Sequence, residues 1–394
     1  MDVLMLVISD VAHDARVLRE AGCLAGNGHS VHVVGKDVPA DWTPPSGVTV
    51  QSVSGGNGLR PSGSAIGTSV VSRGAVRRIA RWALLPRHRQ RVWRTWCDAA
   101  RAGVSGRKFD VVHAHDFNVL RLAADLAEAT KADLVYDAHE WWSGRERHGR
   151  PTPLERARER RVERRIVARA AGVLTVSPGI AERLARWRGA PVTLVRNTFP
   201  ILDRPRLVDL PERPRGAVYA GRIGPARDIE TLLAAAAELR LDTVLLGKAD
   251  REFLPRLRFS QGTVRIEPAR PVDEVDEVLR RVGISVVTLT DTCENHRLAL
   301  PNKVFHAVRA GVPVVAADLP ELRRLVTDYG LGALYRPGDA ASLRAALERV
   351  IWDYPGFCEK VAQARAELNW EQDAKALIDV YEALARDAVS AGVR

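Results

Sequence analysis

Short continuous apolar runs alternate with stretches where apolar residues recur every three or four positions along nearly all of the 394-residue chain. The first pattern predicts buried strands and the second amphipathic helices. The opening Val3–Ile8 run reads as a strand. Val17, Leu18, Ala21, Leu24 and Ala25 then fall at helical spacing, and Gly28 ends that helix. Further strands are expected at Ser30–Gly35, Val48–Val53, Phe109–His115, Leu134–His139, Gly172–Val176 and Val192–Arg196. From Phe199 to Arg215 the periodicity fails and Pro200, Pro205, Pro211 and Pro214 cluster, the mark of a linker. The alternation then resumes, with strands at Ala217–Gly221, Thr243–Gly247, Val264–Glu267, Ile284–Thr288 and Val312–Ala316. Helices such as Ile229–Leu239 lie between them, and a long helical run starts at Trp370.

Alternating strands and helices imply parallel sheets covered by helices on both faces. The expected architecture is α/β, with two Rossmann-like, doubly wound parallel-sheet domains facing a central cleft. Residues 1–199 would form the first domain, 200–215 the linker and 216–369 the second, with the helix 370–394 packing back on the first. Ligands of such sheets bind outside the carboxyl ends of the strands. Functional residues are therefore sought just after strands.

Composition narrows the class without naming the chemistry. Hydrophobic residues make up 46% and charged residues 27%, so the chain can bury substantial cores and is not a disordered one. Cys23, Cys97, Cys293 and Cys358 are scattered, with neither a zinc spacing nor a disulfide framework. A reducing cytoplasm is the expected compartment. No apolar stretch reaches the ~18–20 residues of a membrane span, and the first ten residues do not read as a signal peptide. Net charge is +11, and the segment 73–108 alone holds eleven basic residues against the single acid Asp98. No nucleic-acid-reading motif accompanies it, so no specific nucleic acid is expected. Val92, Trp93, Trp96, Cys97 and Ala100 share a helical face there. That stripe reads either as an N-terminal core face or as peripheral contact with an anionic membrane at its inner face.

The turn after the first strand carries His13, Asp14 and Arg16 but no Gly-x-Gly-x-x-Gly, so a dinucleotide has no support. His113 and His115 lie two apart on a strand end, followed by Asp116. A metal pair is conceivable there, yet no third ligand stands at a fixed spacing, and satisfied cleft histidines are the preferred reading. Asp137, His139 and Glu140 end an apolar strand and Trp141 and Trp142 follow, a polar–aromatic pairing that suits sugars. Arg222 and Arg227 flank a Gly-containing strand-to-helix turn, an arrangement suited to a phosphate or diphosphate. In Leu298–Asp318, Pro301 begins a helix and Gly311 ends it. Its first-turn N–H groups and Lys303 can hold an anion. Asn302 and His306 share a face at i,i+4.

In motif order nearly the whole chain resembles the retaining GT-B glycosyltransferases of family 4, the group 1 glycosyl transferases. The resemblance rests on the Gly28-His29-Ser30-Val31 step, Asp137-Ala138-His139-Glu140, Val176-Ser177, Arg196-Asn197, Gly221-Arg222 and Gly247. Its most specific block is Pro301-Asn302-Lys303-Val304-Phe305 running into Ala310-Gly311-Val312-Pro313. It implies a nucleoside-diphosphate-sugar donor held mainly by the C-terminal domain, an acceptor held mainly by the N-terminal domain, and no obligatory metal. By position, Gly221, Arg222, Arg227, Gly247, Asn302 and Lys303 would surround the donor, and His139 would touch its sugar near the reacting carbon. His139, Arg222 and Lys303 are the implied catalytic groups. His13, Asp14, Arg16, His115, Asp116, Glu140 and Trp141 are the candidate acceptor residues.

The chain departs from the family at two places. Many members carry two glutamates with seven residues between them, and these positions are Leu298 and His306 here. His306 is expected to contact the donor nucleotide in its own way. The reading is a sugar transferase acting on an unknown acceptor (glycan, lipid-linked or small molecule). A nucleotide-sugar binder without turnover and a sugar-nucleotide epimerase are the alternatives.

Overall fold

A computed structural model describes residues 1–39, 41–53, 93–146, 153–201, 210–257 and 263–390. Two sheets organise the chain. The first has β1 (Asp2–Leu6), β2 (Ser30–Gly35), β3 (Val48–Ser52), β4 (Val111–His115), β5 (Asp133–Ala138), β6 (Gly172–Thr175) and β7 (Thr193–Leu194) in the order β3-β2-β1-β4-β5-β6-β7. The second has β8 (Gly216–Ala220), β9 (Asp242–Leu246), β10 (Val264–Glu267), β11 (Gly283–Val287), β12 (Val314–Ala317) and β13 (Gly332–Tyr335) in the order β10-β9-β8-β11-β12-β13. The pairings are parallel, for example Leu4 opposite Val112 and Tyr219 opposite Leu245. In each sheet the order reverses beside the first strand, which creates the switch point where such sheets bind ligands.

By packing, the chain divides into two compact units. One comprises Met1–Asp137, Arg169–Gly172 and the end of the chain from Leu384. The other comprises Ala138–Ala168 and Val173–Ala383. In the first, Val3–Leu6 of β1 are fully buried, as a strand covered on both faces must be. In the second, Ala217–Tyr219, Ile284, Val286, Val287 and Val314–Ala317 form the strand core. Val304, Phe305 and Val308 of the Asn302–Ala310 helix pack on it. Strand β13 has no counterpart among the sequence expectations. At four residues with Gly332 at one end, it is too short for its apolar pattern to stand out.

One expectation changes, and one choice between two readings is decided. The helix expected to open at Pro301 opens at Asn302, with Pro301 as its cap residue and Gly311 closing it at φ 78°. The tryptophan stripe of the basic segment does not face outward where it is described. Trp96, Cys97 and Ala100 are buried, and Trp93 donates its indole N–H to the Asn118 carbonyl at 2.6 Å. Of the two readings of the stripe, its described residues bear out the core face, since Trp96 is buried and Trp93 is half-buried with its indole N–H satisfied. All of 73–92 lies outside the described residues, as does 202–209 of the expected linker. Among the described residues no helix is long and apolar enough to cross a membrane.

Candidate active site

A cavity of about 390 Å³ opens in the second unit, lined by residues that follow strand ends. His139 and Glu140 come just after β5, Asn197 lies after β7, and Arg222 and Arg227 stand in the turn after β8. The Ala299–Asn302 segment leads into the Asn302–Ala310 helix and completes the wall. No side chain caps that helix, so its leading amides are available to an anion.

The turn after β8 is built around Asp228. This buried carboxylate accepts from the Tyr335 hydroxyl at 2.7 Å, the Thr231 hydroxyl at 2.6 Å and the Gly338 amide at 3.0 Å. Ala226 and Asp228 both take positive φ, at 61° and 54°. Such backbone strain persists only when surrounding contacts over-determine it, and the three bonds to Asp228 do so here. Arg222 is fixed differently, by a bidentate pair with Asp250 at 3.0 and 2.7 Å. This pair holds the Arg222 guanidinium above its ordinary pKa.

Lys303 sits where Gly221 and Gly247 make room. A Cβ on Gly221 would meet Lys303 Cε at 2.9 Å and Nζ at 3.0 Å, and one on Gly247 would meet the Gly221 carbonyl oxygen at 2.0 Å. Both glycines have φ near +147°, at 146° and 148°. The two motif glycines therefore let β8, β9 and the lysine approach one another. Lys303 Nζ lies 4.7 Å from the centre of the Tyr219 ring. Burial first, and the neighbouring positive Arg227 second, lower its pKa to about 7. Neither Lys303 nor Arg227 has an ion-pair partner among the described residues. Two adjacent cations, one of them desolvated, make a region of unmatched positive potential.

The other end of the cavity is polar but internally paired. Glu140 accepts from Arg145 at 2.8 Å and from the Asn295 side-chain amide at 3.3 Å. Asn295 also accepts from the Trp141 backbone at 2.7 Å. His296, at the wall, bonds through Nδ1 to the Thr290 carbonyl at 2.8 Å, and burial lowers its pKa. Arg145, Glu146, Asn295 and His296 were not singled out from the sequence. Nothing in their local pattern marks them, because the fold brings them in from separate loops.

Several candidates lie elsewhere. Trp141 is buried: its indole donates to Glu294 at 2.8 Å and packs at 4.9 Å on Trp187. It is a packing residue, not an open sugar platform. His306 does not line the cavity. Its Nδ1 is 3.0 Å from buried Asp276, its ring stacks on Phe199 at 4.2 Å, and Arg309 also pairs with Asp276 at 2.8 Å. The imidazole is instead engaged by a buried carboxylate of the neighbouring helix, away from the residues that line the cavity.

The N-terminal candidates fall into two groups, both in the first unit. His13 is 78% exposed and pairs with Asp10, while Asp14 caps the Ala15–Gly26 helix through Val17. Arg16, His115 and Asp137 are buried together: Arg16 binds Asp137 through two bonds of 2.8 Å, and His115 Nδ1 lies 3.3 Å from Asp137. Asp116 follows with φ 67°, its amide bonded to the Asp137 carbonyl at 2.9 Å. Glu20 and His113 join them, so that ligand-type atoms of Glu20, His113, His115 and Asp137 lie within 4.8 Å of one another. The sequence reading did not name Glu20 and did not join Asp137 to the two histidines, because they come from a helix and from a different strand. Arg16 also pairs with Glu20 at 3.0 Å, so a guanidinium already stands among these donors as their counter-charge.

A doubly wound pair of sheets with an anion-seeking cavity at strand ends defines a class, and comparison with known proteins identifies it. The glycosyl transferase 4-like domain matches residues 13–198, and the glycosyl transferases group 1 domain matches 214–353. The chain belongs to the group 1 glycosyltransferases and has the GT-B fold. It is 25% identical over 312 residues to a D-inositol 3-phosphate glycosyltransferase of Streptosporangium roseum, covering 70% of this chain and 69% of that one. A glycogen synthase of Mycobacterium tuberculosis is 25% identical over 297 residues, with the same coverage of 70% and 69%. Among solved structures, sucrose-phosphate synthase from Thermosynechococcus elongatus superposes with a TM-score of 0.72 at 17% identity, over 98% of this chain and 100% of that one. Anabaena HepE in complex with UDP and glucose gives 0.64 at 16% identity, over 99% and 100%. The protein is a glycosyltransferase.

Proposed function

We propose that this transferase takes its sugar from a nucleoside-diphosphate donor, passes it to an acceptor with retention at the anomeric carbon, and needs no obligatory metal. The observation that carries the donor assignment is the pair Arg227 and Lys303. They are adjacent, lack carboxylate partners among the described residues, and stand at an uncapped helix N-terminus. A diphosphate satisfies all of these groups at once. Its charge grows as the glycosidic bond breaks, so cations already in place stabilise the transition state more than the ground state. With Arg222 joining them, three cations supply the charge that a metal ion would otherwise bring.

His139, on the opposite wall, is the group we place beside the donor sugar, with Glu140 and Asn295 next to it. No side chain is assigned as nucleophile. Retention and metal independence rest on the family resemblance. Three solved HepE complexes hold UDP with glucose, UDP alone or UDP-glucose, which supports a nucleotide-sugar donor here. Acceptor binding is proposed for His13, Asp14 and Asp116, whereas Arg16 and His115 are buried in their own cluster and would support these residues from behind.

The test is a thermal-shift screen of UDP, GDP and dTDP sugars, followed by nucleotide-release assays with acceptor panels, with and without EDTA. A sugar nucleotide that stabilises the protein but is never turned over marks a binder. Release of nucleotide with unattached sugar, independent of acceptor, marks an epimerase-type enzyme. Activity abolished by EDTA and restored by a divalent ion overturns metal independence.

A further inference from the structure

The Pro153–Val167 helix separates its charges. Glu155, Glu159 and Glu163 are spaced i,i+4 and form one stripe, on the side that also carries buried Glu163 and Val167. Arg158, Arg161, Arg164 and Arg165 are all exposed and fall within an arc of about 120°, turned about 150° from the acidic stripe at 100° per residue. Leu154, 81% exposed, lies in the middle of that arc, and Ala157 shares it. No acid interrupts it.

Several surface arginines are neutralised by a neighbour, and what sets this face apart is four, unpaired among the described residues, gathered on one side of one helix. Arg101, Arg297, Arg323 and Arg336 each pair with a carboxylate. Arg160, at the edge of the face, turns toward Glu294 and Ser143. Arg158, Arg161, Arg164 and Arg165 have no hydrogen-bond or ion-pair partner for their side chains among the described residues. An exposed helical face of unpaired guanidiniums around one apolar side chain is complementary to a plane of phosphates over hydrocarbon. Guanidinium forks bind phosphate oxygens, and the leucine can enter the acyl boundary.

We propose that the outer face of this helix docks the protein on a bilayer rich in anionic phospholipid. A nucleic acid offers phosphates too, but it gives exposed Leu154 and Ala157 nothing apolar to enter. The bilayer satisfies both parts of the face. An enzyme held in this way meets acceptors carried at the bilayer surface.

The test is flotation of the full chain with vesicles of phosphatidylglycerol and phosphatidylcholine, and of phosphatidylcholine alone, at physiological salt. A basic residue near an anionic surface contributes about fivefold in partitioning. The variant R161Q/R164Q/R165Q should therefore bind the anionic vesicles at least tenfold more weakly, with an unchanged circular dichroism spectrum and Tm. Leu154→Glu, which spares the arginines, should also weaken binding. A control of equal charge change away from the helix, R323Q/R336Q/R344Q, should bind within about twofold of wild type, which separates a local face from the overall charge of +11. The proposal is overturned if wild type fails to bind anionic vesicles. It is equally overturned if the helix variant floats like wild type, if the control loses as much binding as the helix variant, or if duplex DNA is bound as tightly as vesicles at the same salt.

Discussion

Lys303, which follows the cavity-lining Asn302 and faces Arg227, would tie donor binding to pH. Its pKa of about 7 reflects an ammonium that has lost water and faces Arg227. On the proposed donor assignment a bound diphosphate would supply the missing opposite charge, so donor binding should raise that pKa and draw in a proton. Below pH 7 the lysine is already charged and binding is independent of pH. Above pH 7 the free enzyme must first take up a proton, so affinity falls about tenfold per pH unit until the pKa of the complex is reached. Between pH 6.5 and 8 the expected loss is roughly eightfold, with about one proton taken up per donor bound at pH 8. The assay is calorimetric titration with a nucleotide sugar, whose diphosphate diester does not titrate in this range, in buffers of different ionisation enthalpy. Lys303→Met should bind weakly at every pH and lose the proton uptake. It should also raise Tm by a few °C, since an ammonium partly desolvated beside another cation costs stability. Donor affinity flat from pH 6 to 9, or Lys303→Met keeping the wild-type pH profile, would refute the reasoning.

Arg222→Ala should lower turnover at least tenfold, as expected for loss of a charge-assisted bond of about 1.5–3 kcal/mol, whereas Asp250→Asn should strengthen the salt dependence of donor binding by releasing Arg222. His139→Ala should reduce kcat more than affinity for the bare nucleoside diphosphate, and the opposite split would remove it from the sugar pocket. His306→Ala should leave donor affinity within about twofold but lower Tm, because Asp276 keeps Arg309 and loses the imidazole. His306→Glu, which would restore the residue common in the family, should destabilise more, by setting a carboxylate against buried Asp276. Asp228→Ala should cost roughly 2–4 kcal/mol in chemical denaturation, since Tyr335, Thr231 and Gly338 all lose their acceptor.

The alternation of apolar runs and helical periodicity carried the order of strands and helices, and three elements needed no correction: Ser30–Gly35, Val264–Glu267 and Ile229–Leu239. That is local information, since a strand buried on both faces must be apolar throughout and an amphipathic helix must repeat every 3.6 residues. The same pattern placed His139, Arg222 and Arg227 just after strands, and they line one cavity. Partnership between distant side chains was not legible. His306 shares a helix face with Asn302 in any sequence reading, yet Asp276, thirty positions earlier, takes its imidazole. Glu20 and Asp137 meet His113 and His115 only because the Ala15–Gly26 helix packs where β4 and β5 end. Trp141 read as a candidate sugar contact and is core, and for Trp96 the pattern left core and surface open until packing decided for core. The perturbed lysine is likewise a tertiary property. Sequence supplies an ammonium next to Asn302, but desolvation and the field of Arg227 exist only once β8, β9 and the Asn302–Ala310 helix converge.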